Sequence, residues 1–164
     1  MVKICFVCLG NIVRSPLAEG LFIKQAAQAG VANQFMVDSA GTGDWHVGEL
    51  PDVRMRRVAA RRGLIYDHRA RQFRRQDLDT FDLILAMDRD NRDNLLNLAR
   101  TPEQQAKIHL LREFDSNGGP DVSVPDPYYG GLDDFDEVYL TIERSVSGLL
   151  AALKDGIPAP GVQG

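Results

Sequence analysis

Apolar and polar positions fall into alternating blocks along the chain. Lys3-Ile4-Cys5-Phe6-Val7 is a short apolar run rich in β-forming residues and predicts a buried strand. From Pro16 to Ala29 the spacing becomes helical: Leu17, Leu21 and Phe22 with Ala18, Ala26 and Ala29 form one stripe, and Gly30 stands where a C-cap belongs. Gly20 inside that helix costs about 1 kcal/mol relative to alanine, which implies close packing on the sheet. Phe35 to Ser39 predicts a second strand, ending in the Gly-rich turn Ala40-Gly41-Thr42-Gly43-Asp44, with Trp45 in the following loop. A helix from near Pro51 to Gly63 turns Met55, Val58 and Ala59 inward. Phe81 to Met87 reads as a third strand, after which Asp88 can cap a helix carrying Leu95, Leu96 and Leu98. Lys107 to Leu111 supplies a fourth strand.

A loop rich in Gly, Pro and Asp follows from Asp115 to Gly131, and loops of that length without elements of their own are usually functional. The last helix, Asp133 to Lys154, has the clearest stripe: Phe135, Val138, Tyr139, Ile142, Val146, Leu149, Leu150 and Leu153, stopped by Gly156 and Pro158. Strands alternating with helices imply an α/β fold: a single-domain, doubly wound sheet of four parallel strands with helices on both faces. The domain is expected over residues 1–157, with 158–164 a flexible C-terminal tail.

Composition narrows the function classes. At 164 residues and 44% hydrophobic, the chain suits one domain with a real core. A net charge of −4 points to neither nucleic acid nor membrane. The charge is uneven, with nine arginines between Arg54 and Arg75 and acids gathered from Asp115 to Glu137. Two readings fit this: a pair of solvated faces, or a basic rim that draws in acidic phosphorylated partners. A strand begins within two residues of the start and no apolar run is long enough to span a bilayer, so neither a signal peptide nor a membrane anchor is expected. The only cysteines are Cys5 and Cys8. A zinc site would need further ligands, and an extended strand separates their Cα atoms by roughly 10 Å, beyond disulfide reach. A reduced, cytoplasmic protein is the expectation.

The chemistry concentrates where the first strand ends. Val7-Cys8-Leu9-Gly10-Asn11-Ile12-Val13-Arg14-Ser15-Pro16 reads as strand, tight loop and helix start, with Ser15 a capping hydroxyl and Pro16 at the first helical position. Unpaired amides at a helix start, together with the macrodipole, favour an anion. Gly10 lets the backbone curl so that successive amides point inward, and Arg14 offers a planar fork for two oxygens of a tetrahedral anion. The same field favours Cys8 as a thiolate. An anion cradle with a nucleophile at its base suits phosphoryl transfer. The Cys-x5-Arg spacing alone is weak in a chain with 15 arginines, and Cys5, with Asn11 six residues on, lacks it. The flanking strand and helix give it weight. Ser39, at the carboxyl end of the second strand, converges on the same crevice.

The run from Cys8 to Pro16 resembles the active-site loop of the low-molecular-weight protein tyrosine phosphatases. Three further segments match that family in order: Ser39-Ala40-Gly41-Thr42 with Trp45, then Asp67-His68-Arg69-Ala70-Arg71-Gln72, then Asp126-Pro127-Tyr128-Tyr129. The resemblance covers about residues 2 to 155. It implies a cysteine-dependent protein tyrosine phosphatase, acting on phosphotyrosine-containing proteins with no cofactor and no metal. Cys8 would be the nucleophile that forms a phosphocysteine, Arg14 and the 9–14 amides (Leu9, Gly10, Asn11, Ile12, Val13, Arg14) with Ser15 the phosphate-binding loop, and Asp126 the general acid and base. Residue reading alone leaves Asp115, Asp121, Asp133 and Asp134 beside Asp126; its setting between Pro125 and Pro127 favours it, and the resemblance selects it.

Asn11, Ser15, Ser39 and His68 match positions of a supporting hydrogen-bond network. Ser15 can also serve as a plain cap, and Ser39 and His68 as ordinary satisfied polar residues. Leu9, Ile12, Trp45, Tyr128 and Tyr129 match the walls of a slot for a flat aromatic ring, deep enough to favour phosphotyrosine over phosphoserine, although an aromatic in a loop is more often a packing anchor. Many family members carry a cysteine where Val13 stands, so Cys8 here lacks a partner to trap its oxidised form. Arsenate reductases share the loop but need further cysteines. Protein arginine phosphatases carry threonine where Ile12 stands and lack the paired tyrosines, and remain an alternative, as does an inactive phosphotyrosine-binding module.

Overall fold

The computed structural model describes residues 1–118 and 122–154. Four strands form one parallel sheet in the order β2-β1-β3-β4: β1 (Val2–Cys8), β2 (Phe35–Gly41), β3 (Leu83–Ala86) and β4 (Ile108–Leu110). The helices are α1 (Arg14–Gln28), α2 (Val53–Arg61), α3 (Asp77–Thr80), α4 (Arg89–Leu98), α5 (Pro102–Ala106) and α6 (Leu132–Leu153). The register aligns Cys8 with Gly41 and Val7 with both Ala40 and Ala86, so the carboxyl ends of three strands lie side by side.

The period-two alternation of β1 divides the core in two. Ile4, Phe6 and Cys8 face a cluster built with Leu17, Leu21 and Phe22 of α1, Met55 and Val58 of α2, and Phe135, Val138, Ile142, Val146 and Leu149 of α6. Cys5 and Val7 face the opposite cluster, with Leu78 of α3, Leu95 of α4, Phe73 and Ile108. Both faces are therefore covered, as the near-continuous apolar strands require. The four strands and the inward faces of α2, α4 and α6 lie where the periodicity placed them. The chain turns one way from β1 to β2 and the other way from β1 to β3 and β4, and the loops after β1 and β3 part at that switch. A crevice at such a point is where sheets of this kind bind ligands.

Three local expectations are corrected. Ser15 caps nothing: α1 starts at Arg14, its N-cap is Val13, and no side chain caps it. The Ser15 hydroxyl is instead engaged by the Asn11 amide and the Cys8 sulfur. Gly20 does make room for a close neighbour, but that neighbour is Tyr66, which lies 3.2 Å from where a Cβ would stand, rather than the sheet. Gly10 takes no positive φ; the left-handed residue of the first loop is Asn11 (φ 56°), a conformation that asparagine tolerates, and the only such non-glycine among the described residues. Short elements that periodicity did not announce, α3, α5 and two 3₁₀ turns at Ala32–Gln34 and Leu111–Phe114, join the larger ones. The stops at Gly156 and Pro158, the tail 158–164 and Asp121 lie outside the described residues.

Candidate active site

Cys8 ends β1 and is 2% exposed, at the bottom of a cavity of about 290 Å³. Its sulfur lies 3.0 Å from Ser15 Oγ and 3.4 Å from the Ser15 amide, which donates to it. The loop that wraps it is held from outside through its carbonyls. Those of Cys8 and Leu9 accept from the Thr42 and Gly43 amides at 2.9 Å, and that of Ile12 accepts from Asp52 at 2.7 Å. Three loop carbonyls thus turn outward, and Asn11 has the left-handed backbone that anion-binding nests use.

Beneath the loop the Asn11 side chain ties four segments together. Its Nδ2 donates to Ser15 Oγ (2.7 Å) and Ser39 Oγ (3.1 Å). Its Oδ1 accepts from the Arg71 amide (2.9 Å) and from His68 Nε2 (3.0 Å). Ser39 Oγ in turn donates to Glu19 Oε1 at 2.7 Å. The structure thus brings Asn11, Ser15, Ser39 and His68 into one network, and adds three residues that the sequence did not single out. Glu19, Asp38 and Arg71 close it on the far side, where Arg71 Nε meets Asp38 Oδ2 at 3.0 Å and the Asp77 carboxylate holds the guanidinium at 3.0 Å. Burial raises the Glu19 carboxyl to about 7, against the Ser39 hydrogen bond. Burial also lowers the His68 pKa, while the Asp38 charge opposes that shift. Glu19 was findable: it stands one helical turn beyond Ser15, on the same face of α1.

Arg14 begins α1 and its side chain is almost fully enclosed. Nη1 donates to Asp88 Oδ2 and to the Val124 carbonyl, both at 2.8 Å, and Nη2 lies 3.6 Å from Asp126 Oδ2. Asp88 is the N-cap of α4, its Oδ1 accepting from Asn91 N, so its second oxygen is free to orient Arg14 across the switch point. Sequence pattern assigned Asp88 only the cap. Its place just past the carboxyl end of β3 was the available signal.

Asp126 reaches the slot because the buried Val124 anchors its loop: Val124 N donates to Met87 O at 2.7 Å. Asp126 Oδ1 accepts from the Tyr128 amide at 3.1 Å, an Asx turn that leaves Oδ2 toward Arg14. Arg54 of α2 donates to the Tyr128 carbonyl at 2.8 Å and lies over the Tyr128 and Phe135 rings, at 5.1 and 4.5 Å from their centroids.

The mouth is lined by Leu9, Ile12, Trp45, Tyr128 and Tyr129 together with His46. Trp45 is 68% exposed and Tyr129 97% exposed, so neither is a packing anchor, and the two tyrosines meet edge to face at 5.0 Å. His46, which the sequence did not flag, binds Glu49 through Nδ1 at 2.8 Å, and its ring approaches so closely that a Cβ on Gly10 would stand 3.0 Å from it. Of the nine clustered arginines, Arg54, Arg62 and Arg71 are committed to acidic partners.

The comparisons with known proteins agree with this geometry. A model of the family described as low molecular weight phosphotyrosine protein phosphatase matches residues 3–158. A low molecular weight protein-tyrosine-phosphatase of Streptomyces coelicolor is 44% identical over 156 residues, covering 94% of this chain and 95% of that one. The crystal structure of a protein tyrosine phosphatase from Entamoeba histolytica superposes with a TM-score of 0.90 at 38% identity, over 95% of this chain and 99% of that one. The Drosophila arginine phosphatase does so with a TM-score of 0.87 at 33% identity, over 95% and 100%. A buried thiol, a guanidinium and a carboxylate on one cavity, and matches of this length make the chain a member of the low molecular weight phosphotyrosine protein phosphatases.

Proposed function

We propose that the chain hydrolyses phosphotyrosine in proteins through a phosphocysteine, and that Cys8, Arg14 and Asp126 carry the reaction. The observation that supports this most is the meeting of these three groups in one slot, with the Cys8 sulfur at its floor and Asp126 Oδ2 3.6 Å from Arg14 Nη2. The sulfur attacks phosphorus while the bond to the phenolic oxygen breaks. The amides of the 9–14 loop and Arg14 stabilise the three equatorial oxygens as the phosphoryl group flattens. Asp126, protonated at the start, gives its proton to the departing phenolate, then takes one from the water that displaces Cys8. Ser15 donates to the leaving thiolate in that second step. The Asn11, Ser39 and His68 network holds the loop, and Trp45, Tyr128, Tyr129, Leu9 and Ile12 grip the ring. Nothing in this sequence of steps calls for a metal or a cofactor.

Phosphoproteins with a tyrosine long enough to reach the slot floor are the proposed partners, and the reduced cytoplasm is the proposed setting. Among the described residues no helix is long and apolar enough to cross a membrane. Hydrolysis of aryl phosphate with EDTA present tests the mechanism. Wild type is expected to be active, Cys8→Ser inactive yet able to bind phosphate, and Asp126→Ala slowed by roughly 10²–10⁴-fold on substrates with poor leaving groups. Unimpaired turnover by Cys8→Ser would falsify it. A second reading, phosphoarginine as substrate, draws on the likeness to the Drosophila arginine phosphatase. The apolar Ile12 and the paired tyrosines favour an aryl ester. Phosphotyrosine, phosphoserine and phosphoarginine peptides assayed side by side decide between the two, with phosphotyrosine expected to turn over fastest.

A further inference from the structure

A cavity of about 340 Å³ lies between the loop that carries Asp126 and α6, lined by Pro125, Asp126 and Pro127 on one side and by Glu137 and Val138 on the other. Side-chain packing therefore does not fix that stretch of loop, and its tethers must. Pro125 and Pro127 hold φ on either side of Asp126, so the carboxylate goes where the ends of this short segment are held. The downstream end is held at Tyr128, whose carbonyl accepts from Arg54 at 2.8 Å.

The upstream end is a single peptide plane gripped at both edges. The Val124 amide donates to Met87 O at 2.7 Å, and the Ser123 carbonyl of the same plane accepts from Arg112 Nη1 at 3.1 Å. The next carbonyl, that of Val124, accepts from Arg14 at 2.8 Å. Arg112 belongs to the 3₁₀ turn after β4 and is itself braced. Its Nε donates to Asp115 Oδ2 at 3.0 Å, while Asp115 Oδ1 accepts from Arg144 Nε of α6 at 3.1 Å and from the Asn117 amide at 3.0 Å. The Asp115 side chain is fully enclosed. Burial raises its carboxyl, but the hydrogen bonds from Arg144, Asn117 N and Arg112 outweigh burial and hold it below the ordinary range, so it stays charged. Asp115, one of the acids that stood beside Asp126 in the sequence, thus belongs to the support of the loop.

We propose that Arg112, braced by Asp115 and Arg144, is a positioning residue for the general acid: by holding the Ser123 carbonyl it sets the tilt of the Ser123–Val124 peptide, and with it the point at which Asp126 meets the leaving oxygen. The inference rests on the reading of Asp126 as that acid. Without Arg112 the plane can turn about its remaining bond to Met87. The Val124 carbonyl then swings away from Arg14, and Asp126 is carried off its mark. Arg112 touches neither phosphate nor leaving group, so its removal should matter only where a proton must be delivered.

Leaving-group dependence is the test, read as kcat/KM, which follows formation of the phosphocysteine. Phenyl phosphate has a leaving group that needs the proton, and dinitrophenyl phosphate one that does not. Arg112→Met is expected to lose roughly 10–100-fold on phenyl phosphate and far less on dinitrophenyl phosphate, with circular dichroism and inhibition by inorganic phosphate retained. Added to Asp126→Ala, the same substitution should cost nothing further, because the group it positions is gone. Arg112→Lys keeps the charge but cannot span Asp115 and Ser123 together, so it should keep the defect, and it serves as the test should the methionine variant not fold. Equal losses on both substrates, no loss on either, an additive loss with Asp126→Ala, or full rescue by lysine would each overturn the positioning role. Asp126→Ala as active as wild type on phenyl phosphate would instead remove the acid assignment itself, and the proposal with it.

Discussion

Glu19 keeps a carboxyl near 7 because burial disfavours its charge, so the folded state holds a proton there that the unfolded chain releases. A raised carboxyl stabilises the fold below its ordinary range near 4.5, and that contribution is lost as pH climbs through about 7. His68 works in the opposite sense, since a depressed histidine loses stability as pH falls. Glu19→Gln isolates the first effect. Wild type is expected to lose roughly 3 kcal/mol relative to this variant between mildly acidic and mildly alkaline pH. Chemical denaturation at both ends of the range measures it, and parallel pH curves would refute it. Asp88 supports a second prediction at this scale. Its two oxygens serve α4 and Arg14 separately, and asparagine has only one oxygen, so Asp88→Asn keeps the cap only by turning its amide NH2 toward the Arg14 guanidinium, whereas Asp88→Ala loses both bonds. Misplacing the guanidinium by about 1 Å is expected to cost roughly 10²-fold in kcat/KM in both variants, while only the alanine variant also loses about 1 kcal/mol of stability with the cap. Steady-state kinetics on aryl phosphate measure the first effect and chemical denaturation the second.

Between elements, the critical approach is that of β2 to the loop after β1. A Cβ on Gly41 would stand 2.8 Å from the Leu9 carbonyl oxygen and 3.1 Å from Asn11 N, both backbone atoms that cannot swing aside. Gly41→Ala must therefore displace the loop, at about 1–3 kcal/mol, and activity should fall more steeply than stability. Thermal unfolding and turnover of one preparation test this: a variant with unchanged kcat would show that the loop yields freely. The same junction explains why Ser15 departs from its cap role. With the loop pressed against β2, its hydroxyl lies beside the Cys8 sulfur and Asn11 Nδ2, and the Ser15 amide donates to that same sulfur. Propensity rules identify a helix start but not which partner claims the hydroxyl there.

Across the whole molecule, the two thiols are divided between the two cores. Cys8 belongs to the cluster under α1 and α6, and Cys5 to the cluster under α3 and α4. Burial pushes the Cys5 thiol well above its ordinary value, so it is no nucleophile toward an oxidised Cys8. With Val13 in the loop there is no nearer thiol, because the chain has two cysteines in all. Sustained peroxide is therefore expected to carry Cys8 to sulfinic acid, with bound phosphate protecting it and dithiothreitol failing to restore activity. Full recovery with dithiothreitol would count against this. Mass spectrometry of the peptide containing Cys8 follows the same event directly.

The chain's own pattern determined the strands, the stripes of α2 and α6, and the loop with Cys8 and Arg14, because each is local. Period two, period 3.6 and a six-residue spacing are written within one stretch. Asp126 was legible as one acid among several in a Pro-rich loop, and only likeness to a known family singled it out. Glu19, Asp38, Asp88 and His46 escaped because their roles depend on partners distant in sequence, such as Asp88 and Arg14, 74 residues apart. Only the folded chain, by setting the carboxyl ends of β1, β2 and β3 side by side, decided which polar residues meet. A hydrogen bond is specified by a distance in space, and sequence separation does not encode that distance until the sheet order is known.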